Sequence, residues 1–245
     1  MTGFGTTREL DDGVTRARVR RWPGEPGVAH LVLADHTMVV ADSTLRDWVR
    51  IVTEHGHVSI RTGALSPAAA SVFADHGFHV IQDLVLLRRE LSRRDLFTPP
   101  EHLLRPLRSA RAFSAAARID QSAFAAPWHL DEDGIDEALK ATPNHRIRLA
   151  VTADDDPAGY LITGRNGAAG FIQRLAVDPT HQGRGIATSL LCDGMNWLAR
   201  RGVRDVLVNT HHDNHRALDL YERFGFRRLD DELSVLELHL DGKPA

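Results

Sequence analysis

The residues richest in chemistry run Phe171-Ile172-Gln173-Arg174-Leu175-Ala176-Val177-Asp178-Pro179-Thr180-His181-Gln182-Gly183-Arg184-Gly185-Ile186-Ala187. An apolar strand feeds a turn, then a loop with two glycines, then the start of a helix. A helix start presents unpaired N–H groups and the positive end of the helix dipole, so it holds an anion. Gly183 and Gly185 carry no Cβ, which lets backbone amides close around phosphate oxygens, and Arg184 adds a cation. Two phosphate-loop grammars fail here. A Walker loop requires Gly-Lys-Ser/Thr where the chain has Gly185-Ile186-Ala187. A dinucleotide fingerprint requires Gly or Ala where Thr188 stands, and an acidic residue closing the next strand; Asp205 precedes that strand instead. A purely structural turn is the remaining alternative for this motif taken alone.

A second cluster follows the strand Val206–Thr210. Asn209 and His211-His212-Asp213-Asn214-His215 lead into a helix carrying Ala217 and Tyr221, which Phe224-Gly225-Phe226 terminates. The histidines lack the His-x-x-x-His pairing with a Glu that a helical zinc site uses, so no metal is expected. Taken together, Gln182–Ala187 and Asn214–Phe226 resemble the GNAT superfamily of acyl-CoA-dependent N-acetyltransferases. The first run is similar to the family's Gln/Arg-x-x-Gly-x-Gly/Ala pyrophosphate loop, and the second to its Asn…Ala…Leu-Tyr…Gly-Phe motif. The resemblance spans about Leu103 to Leu240.

That resemblance implies a ligand, acetyl-CoA, and a geometry. Two parallel strands, Phe171–Val177 and Val206–Thr210, would splay apart after a bulge in the first, and the crevice would take the pantetheine arm. Backbone groups of Leu175, Ala176 and Val177 would pair with the pantetheine amides as an added strand does. The pyrophosphate would rest on Gln182, Gly183, Arg184, Gly185, Ile186 and Ala187, with Thr188 at the helix start. Asn214 would bond the cofactor while also capping its helix, next to Ala217. Transfer to a primary amine of a small molecule or protein requires an acid for the leaving thiolate and a base for the ammonium. The family places a Tyr hydroxyl beside the sulfur, which points to Tyr221, one of two tyrosines in the chain; a packing aromatic is the other reading. Where many relatives carry a strand Glu, this chain has Gly170, Gln173 and Asn209. The base is then His211 or His212, or a water relayed along Asn209. A non-catalytic acyl-CoA-binding protein is the rival reading, favoured by that missing Glu. The acidic run Asp131-Glu132-Asp133 with Asp136 and Glu137 either attracts a cationic acceptor or is a solvated helix face. Trp128 is a pocket wall or a packing residue, and Cys192 reads as a buried small hydrophobe.

The elements that position these residues follow from the pattern. The 245 residues suggest about 1.6 domains. Thirty basic against 33 acidic side chains, a formal charge of −3 and 42% apolar residues argue against disorder and against nucleic-acid binding. A single cysteine excludes an internal disulfide framework, no apolar run reaches a membrane span, and the polar start carries no signal-peptide core, so a cytoplasmic address is expected; monomer and homodimer both stay open. Val28–Val40 reads as paired strands, Leu45–Val52 as a helix, Val58–Thr62 as a strand and Ala68–Asp75 as a helix. A second half, from about Leu103, repeats strand and helix signals up to a final strand at Leu233–Leu240. A shift of 148 residues places Val58 on Val206, Ala69 on Ala217, Phe73 on Tyr221 and Gly77-Phe78 on Gly225-Phe226. The expected fold is a mixed-sheet α/β GNAT domain over 102–245, joined by a linker at 93–101 to a smaller, degenerate GNAT-like half over 1–92. That half is expected to lack the phosphate loop by about eight residues, to carry Phe73 and Ser66 in place of Tyr221 and Asn214, and to act as a structural partner for the acceptor cleft.

Overall fold

The structure is a computed structural model that describes residues 7–35, 37–99 and 102–240. Its elements in chain order are β1 (Arg8–Asp11), β2 (Arg16–Trp22), β3 (Glu25–Leu33), α1 (Asp42–Glu54), β4 (Ser59–Thr62), α2 (Pro67–Asp75), β5 (His79–Glu90), β6 (Leu103–Pro106), α3 (Ala110–Ala123), α4 (Glu132–Lys140), β7 (Asn144–Val151), β8 (Pro157–Asn166), β9 (Ala169–Val177), α5 (Ile186–Arg200), β10 (Asp205–His211), α6 (His215–Arg223) and β11 (Arg227–His239). The expected mixed α/β class is what forms. Residues group into two compact units, one of residues up to 86 with 209–218 and those from 228 on, the other of 87–208 with 219–227. The grouping is interleaved along the chain: β11 pairs antiparallel with β4, Glu237 opposite Arg61 and Leu238 opposite Ile60, so the last strand belongs with the first residues. Pro100 and Glu101, the end of the expected linker, lie outside the described residues.

In the first unit the strands run β1-β2-β3-β4-β11. Leu45, Trp48 and Val52 recur at helical spacing, and their burial against Leu31, Ile60 and Phe73 makes α1 the lid of this core. Ser66 starts α2 by accepting a hydrogen bond from the Ala69 amide, with Pro67 pre-set for the first turn. In the second unit the order is β10-β9-β8-β7-β6. Here α3 and α4 close a core containing Ile119, Ile135, Ile147, Tyr160 and Ile162. Leu190, Leu191, Met195 and Leu198 are buried along α5.

The internal repeat extends to whole elements. α2 and α6 are both nine residues, starting at 67 and 215; β5 and β11 start at 79 and 227. Both pairs keep the offset of 148. β3 and β9 are also nine residues each, and both run parallel to the strand that follows them. One expectation is corrected by this match. Val28–Val40 is not a strand pair: β3 ends at Leu33 and its antiparallel partner is the earlier β2. Counterparts are therefore Leu33 and Val177, and the connections to the next helix, 34–41 and 178–185, are both eight residues. The first half has not lost length. Val39-Val40 imitated a strand, whereas Val40 is a buried anchor for α1 and Val39 is 55% exposed. The Arg-rich alternation of β2 concealed that strand, since arginines, Arg20 among them buried, alternate with the core residues Ala17 and Val19.

Candidate active site

The site begins with a fault in β9. Opposite β8, Ile162 faces Arg174 but Thr163 faces Ile172, which leaves Gln173 as an extra residue, a β-bulge. On its other side β9 pairs with β10 only at Ala169, Gly170 and Phe171, against Asp205, Val206 and Leu207. From the bulge onward Leu175, Ala176 and Val177 stay paired with β8, while their parallel pairing to β10 has ended. An extended segment can add itself to such a backbone edge.

β9 leads into the glycine loop. The Asp178 carboxylate accepts hydrogen bonds from the Thr180 hydroxyl (2.6 Å), the Thr180 amide (2.9 Å) and Ser122 Oγ (3.2 Å); these contacts, the Thr180 hydroxyl foremost, hold its pKa below the usual carboxylate value. Gln182 Nε2 donates back to the Val177 carbonyl at 3.2 Å. Gly183 and Gly185 adopt φ +76° and +81°, left-handed values that L side chains resist. His102 Nε2 donates to the Arg184 carbonyl at 2.8 Å and so ties the loop to the chain before β6. No side chain caps α5, and its first internal bond is Ser189 N–H to Gly185 O. The amides of Gly183, Arg184, Gly185, Ile186, Ala187 and Thr188 precede that bond, which makes this an anion-receptive helix start. Arg184 is exposed; Ala187 and Thr188 are half-buried.

Tyr221 belongs to the same unit. It is buried, with its ring 5.6 Å from that of Phe226. Burial pushes its phenol well above the ordinary value, while the Arg174 guanidinium pulls the other way. A phenol so placed keeps its proton at neutral pH. Asn209, His211, Asn214 and Ala217 belong to the first unit. Asn214 caps α6: its Oδ1 accepts from the Ala217 amide (3.3 Å) and its Nδ2 donates to Thr210 Oγ1 (3.1 Å). Asn209 is exposed. His211 Nδ1 accepts the Asp213 amide at 3.2 Å, so the neutral ring carries its proton on Nε2. To act as a base through Nδ1 it must give up that bond. His212 Nε2 lies 3.0 Å from Asp213 Oδ1, and the three side chains bring ligand atoms within 4.8 Å of one another.

The positions where a strand Glu was missing have physical reasons. A Cβ on Gly170 would lie 2.9 Å from Val203 and 3.0 Å from Leu198, so this position faces α5 packing. Gln173 is half-buried and its Oε1 is a buried acceptor without a hydrogen-bond partner among the described residues. The acidic run serves local structure: Asp131 caps α4 through the Gly134 amide, Glu132 accepts from Ser114 Oγ, and Asp136 pairs with Lys140. Cys192 is a buried free thiol, raised in pKa by that burial. Sequence reasoning missed Asp120. It sits on the buried face of α3 beside Ala116 and Ile119, is 0% exposed, and pairs with Arg174. A carboxylate on an otherwise apolar helix face was the available signal, because a buried charge needs a partner.

The model of the Acetyltransferase (GNAT) family matches residues 113–226. A Mycothiol acetyltransferase from a Nocardioides species is 28% identical over 260 residues, covering 89% of this chain and 85% of that protein. One from Rhodococcus jostii is 29% identical, covering 69% of this chain and 60% of that protein, less than two thirds of its length. Among solved structures, a tandem GNAT protein from the clavulanic acid biosynthesis pathway superposes with a TM-score of 0.67 at 15% identity, covering 98% of this chain and 85% of that one.

Proposed function

We propose that the chain is an acetyltransferase of the GNAT superfamily and that it transfers an acetyl group from acetyl-CoA to a primary amine of a small molecule or protein. The observation that supports this most strongly is the bulged β9, its free-running edge at Leu175–Val177 continuing into an uncapped helix start with two left-handed glycines. In this reading the edge takes the pantetheine amides and the amides of Gly183 to Thr188 take the pyrophosphate, with Gln182 and Arg184 flanking and Asn214 and Ala217 contributing from α6. The amine attacks the thioester carbonyl, whose oxygen gains charge opposite the β9 amides. Carbon–sulfur cleavage then releases a thiolate, which Tyr221 protonates. The amine's proton leaves by water along Asn209 or to His211. No step needs a metal. Because the relatives carry the name mycothiol acetyltransferase, a mycothiol-related amine is the first acceptor to test.

The first half is, in this proposal, a degenerate copy that holds no acetyl-CoA. Its β3–β4 pairing continues through Leu31 and Thr62, and the Gly63 amide donates to the Leu31 carbonyl at 2.8 Å. The edge that stays open in β9 is thus occupied in β3. Residues 34–41 contain no glycine, and Phe73 stands where α6 has Tyr221. Ser66 keeps only the capping duty of Asn214. No described helix is long and apolar enough to cross a membrane.

The missing strand Glu at Gly170, Gln173 and Asn209 favours one rival, an acyl-CoA-binding protein without turnover. Thiol release from acetyl-CoA across a panel of amines separates the two. Transfer predicts release that depends on the amine and matches N-acetylated product. Tight CoA binding with no amine-dependent release would favour the rival.

A further inference from the structure

Four donors converge on the buried carboxylate of Asp120. Arg174 gives two, Nε to Oδ2 at 2.8 Å and Nη2 to Oδ1 at 2.7 Å; the Tyr160 hydroxyl reaches Oδ2 and the Leu130 amide reaches Oδ1, both at 2.5 Å. A carboxylate offers about four lone-pair sites, so Asp120 is saturated. Arg174 Nη2 also donates to the Trp128 carbonyl at 2.8 Å, and the guanidinium lies 3.6 Å from the centre of the Phe124 ring. Arg174 is the residue directly after the bulge at Gln173. One ion pair therefore joins α3, β8, the bulge and the irregular segment between α3 and α4. A buried ion pair seldom stabilises more than apolar packing of equal volume, so what this one adds is a fixed geometry. The segment it fixes, through Phe124, Trp128 and Leu130, supplies Phe124, Ala125 and His129 to an open depression whose wall continues on Gln121 and Ser122. Ser122 in turn bonds Asp178 at the end of β9.

We propose that Asp120 and Arg174 are positioning residues for the acceptor: their pair locks segment 124–130 onto the bulge of β9 and so sets the wall against which the amine is held. The inference rests on the proposed acetyl transfer for its kinetic readout but not for its structural one. The pair touches no part of the glycine loop, so acetyl-CoA binding should be spared.

The test uses the full chain carrying Asp120→Asn, with Arg105→Met as a control that breaks an exposed pair with Asp155. Hydrogen exchange of segment 121–131 should quicken roughly tenfold while that of 182–188 stays unchanged. KM for the amine should rise roughly tenfold with KM for acetyl-CoA within about twofold of wild type. Tyr160→Phe, which removes one of the four donors and keeps the ion pair, should shift the same two readouts in the same direction by roughly threefold; it carries the test if Asp120→Asn does not fold. Uniform quickening of exchange across the chain, or equal rises in both KM values, would overturn the proposal. A protein that turns over no amine yet shows the local exchange change would keep the lock and discard the transferase reading; unchanged exchange at 121–131 in an active enzyme would do the reverse.

Discussion

Gly159→Ala is the sharpest probe of the cofactor side. Gly159 lies on β8 opposite Val177, and a Cβ there would stand 2.9 Å from the Ala176 carbonyl oxygen, 3.1 Å from Ile186 Cγ2 and 3.2 Å from Val177 Cγ2. The nearest of these is backbone and cannot rotate away. The methyl therefore pushes the end of β9 and the first residue of α5 at once, the two parts assigned to pantetheine and pyrophosphate. Overpacking of this kind costs about 1–3 kcal/mol, against roughly 0.4–1 kcal/mol gained because alanine restricts the unfolded chain. The net loss, up to about 2.6 kcal/mol, corresponds to a Tm lower by up to roughly 10 °C for a chain of this size. Displacing the amides proposed to grip the pyrophosphate by a few tenths of an ångström forfeits part of a hydrogen bond worth about 1.5–3 kcal/mol, so CoA affinity should fall roughly fivefold. Calorimetry with CoA and a thermal melt measure both quantities. Gly167→Ala is the reference: its φ of +57° is strained for alanine, yet nothing lies within 4 Å of the added carbon. It should lose about 1–2 kcal/mol of stability and no CoA affinity. If Gly159→Ala is destabilised but binds CoA like wild type, the cofactor does not sit where β9 meets α5.

Tyr221→Phe should lower kcat roughly a hundredfold with little change in KM for acetyl-CoA, measured by thiol release; an unchanged kcat would remove Tyr221 from the chemistry. Glu237→Gln should destabilise by about 3 kcal/mol in denaturant titration, because the buried Arg61 guanidinium, whose Nε and Nη2 both donate to Glu237 Oε2, loses its buried anionic partner. Stability should also fall with acidity through the buried His30. Burial first, then the cations of Arg20, Arg61 and Arg18, depress His30 to about 3 from an ordinary 6.5. Between these values the unfolded chain binds a proton that the folded one refuses, so the contribution is complete above pH 6.5 and is lost as pH falls. About 2 kcal/mol should disappear between pH 6.5 and 5, and His30→Leu should flatten that slope in melts across this range.

The second half was legible because its signals are local. The strand that becomes β9, the two glycines and the helix that becomes α6 are each spelled by adjacent residues; β9 ends at Val177 and α6 carries Ala217 and Tyr221, as expected. The repeat was legible for the same reason, since glycine at 77 and 225 closes equivalent helices with φ of +86° and +78°. What the sequence concealed was pairing over distance. β2 carries arginine at alternate positions, and its strand character emerges only when Arg20, His30, Arg61 and Glu237 line up across four strands. The loop thought missing from the first half was present at full length but without glycine, because Val40 imitated a strand residue while anchoring α1. Asp120 was invisible as a positioning group because its partners, Tyr160 and Arg174, lie 40 and 54 residues away.

A crystal structure of the protein with acetyl-CoA bound tests the central claim most directly. The expected result is pyrophosphate oxygens within hydrogen-bonding distance of the amides between Gly183 and Thr188, with the pantetheine amides paired to Leu175–Val177. Cofactor lodged instead at residues 34–41, or none bound at saturating acetyl-CoA, would contradict the assignment of the site.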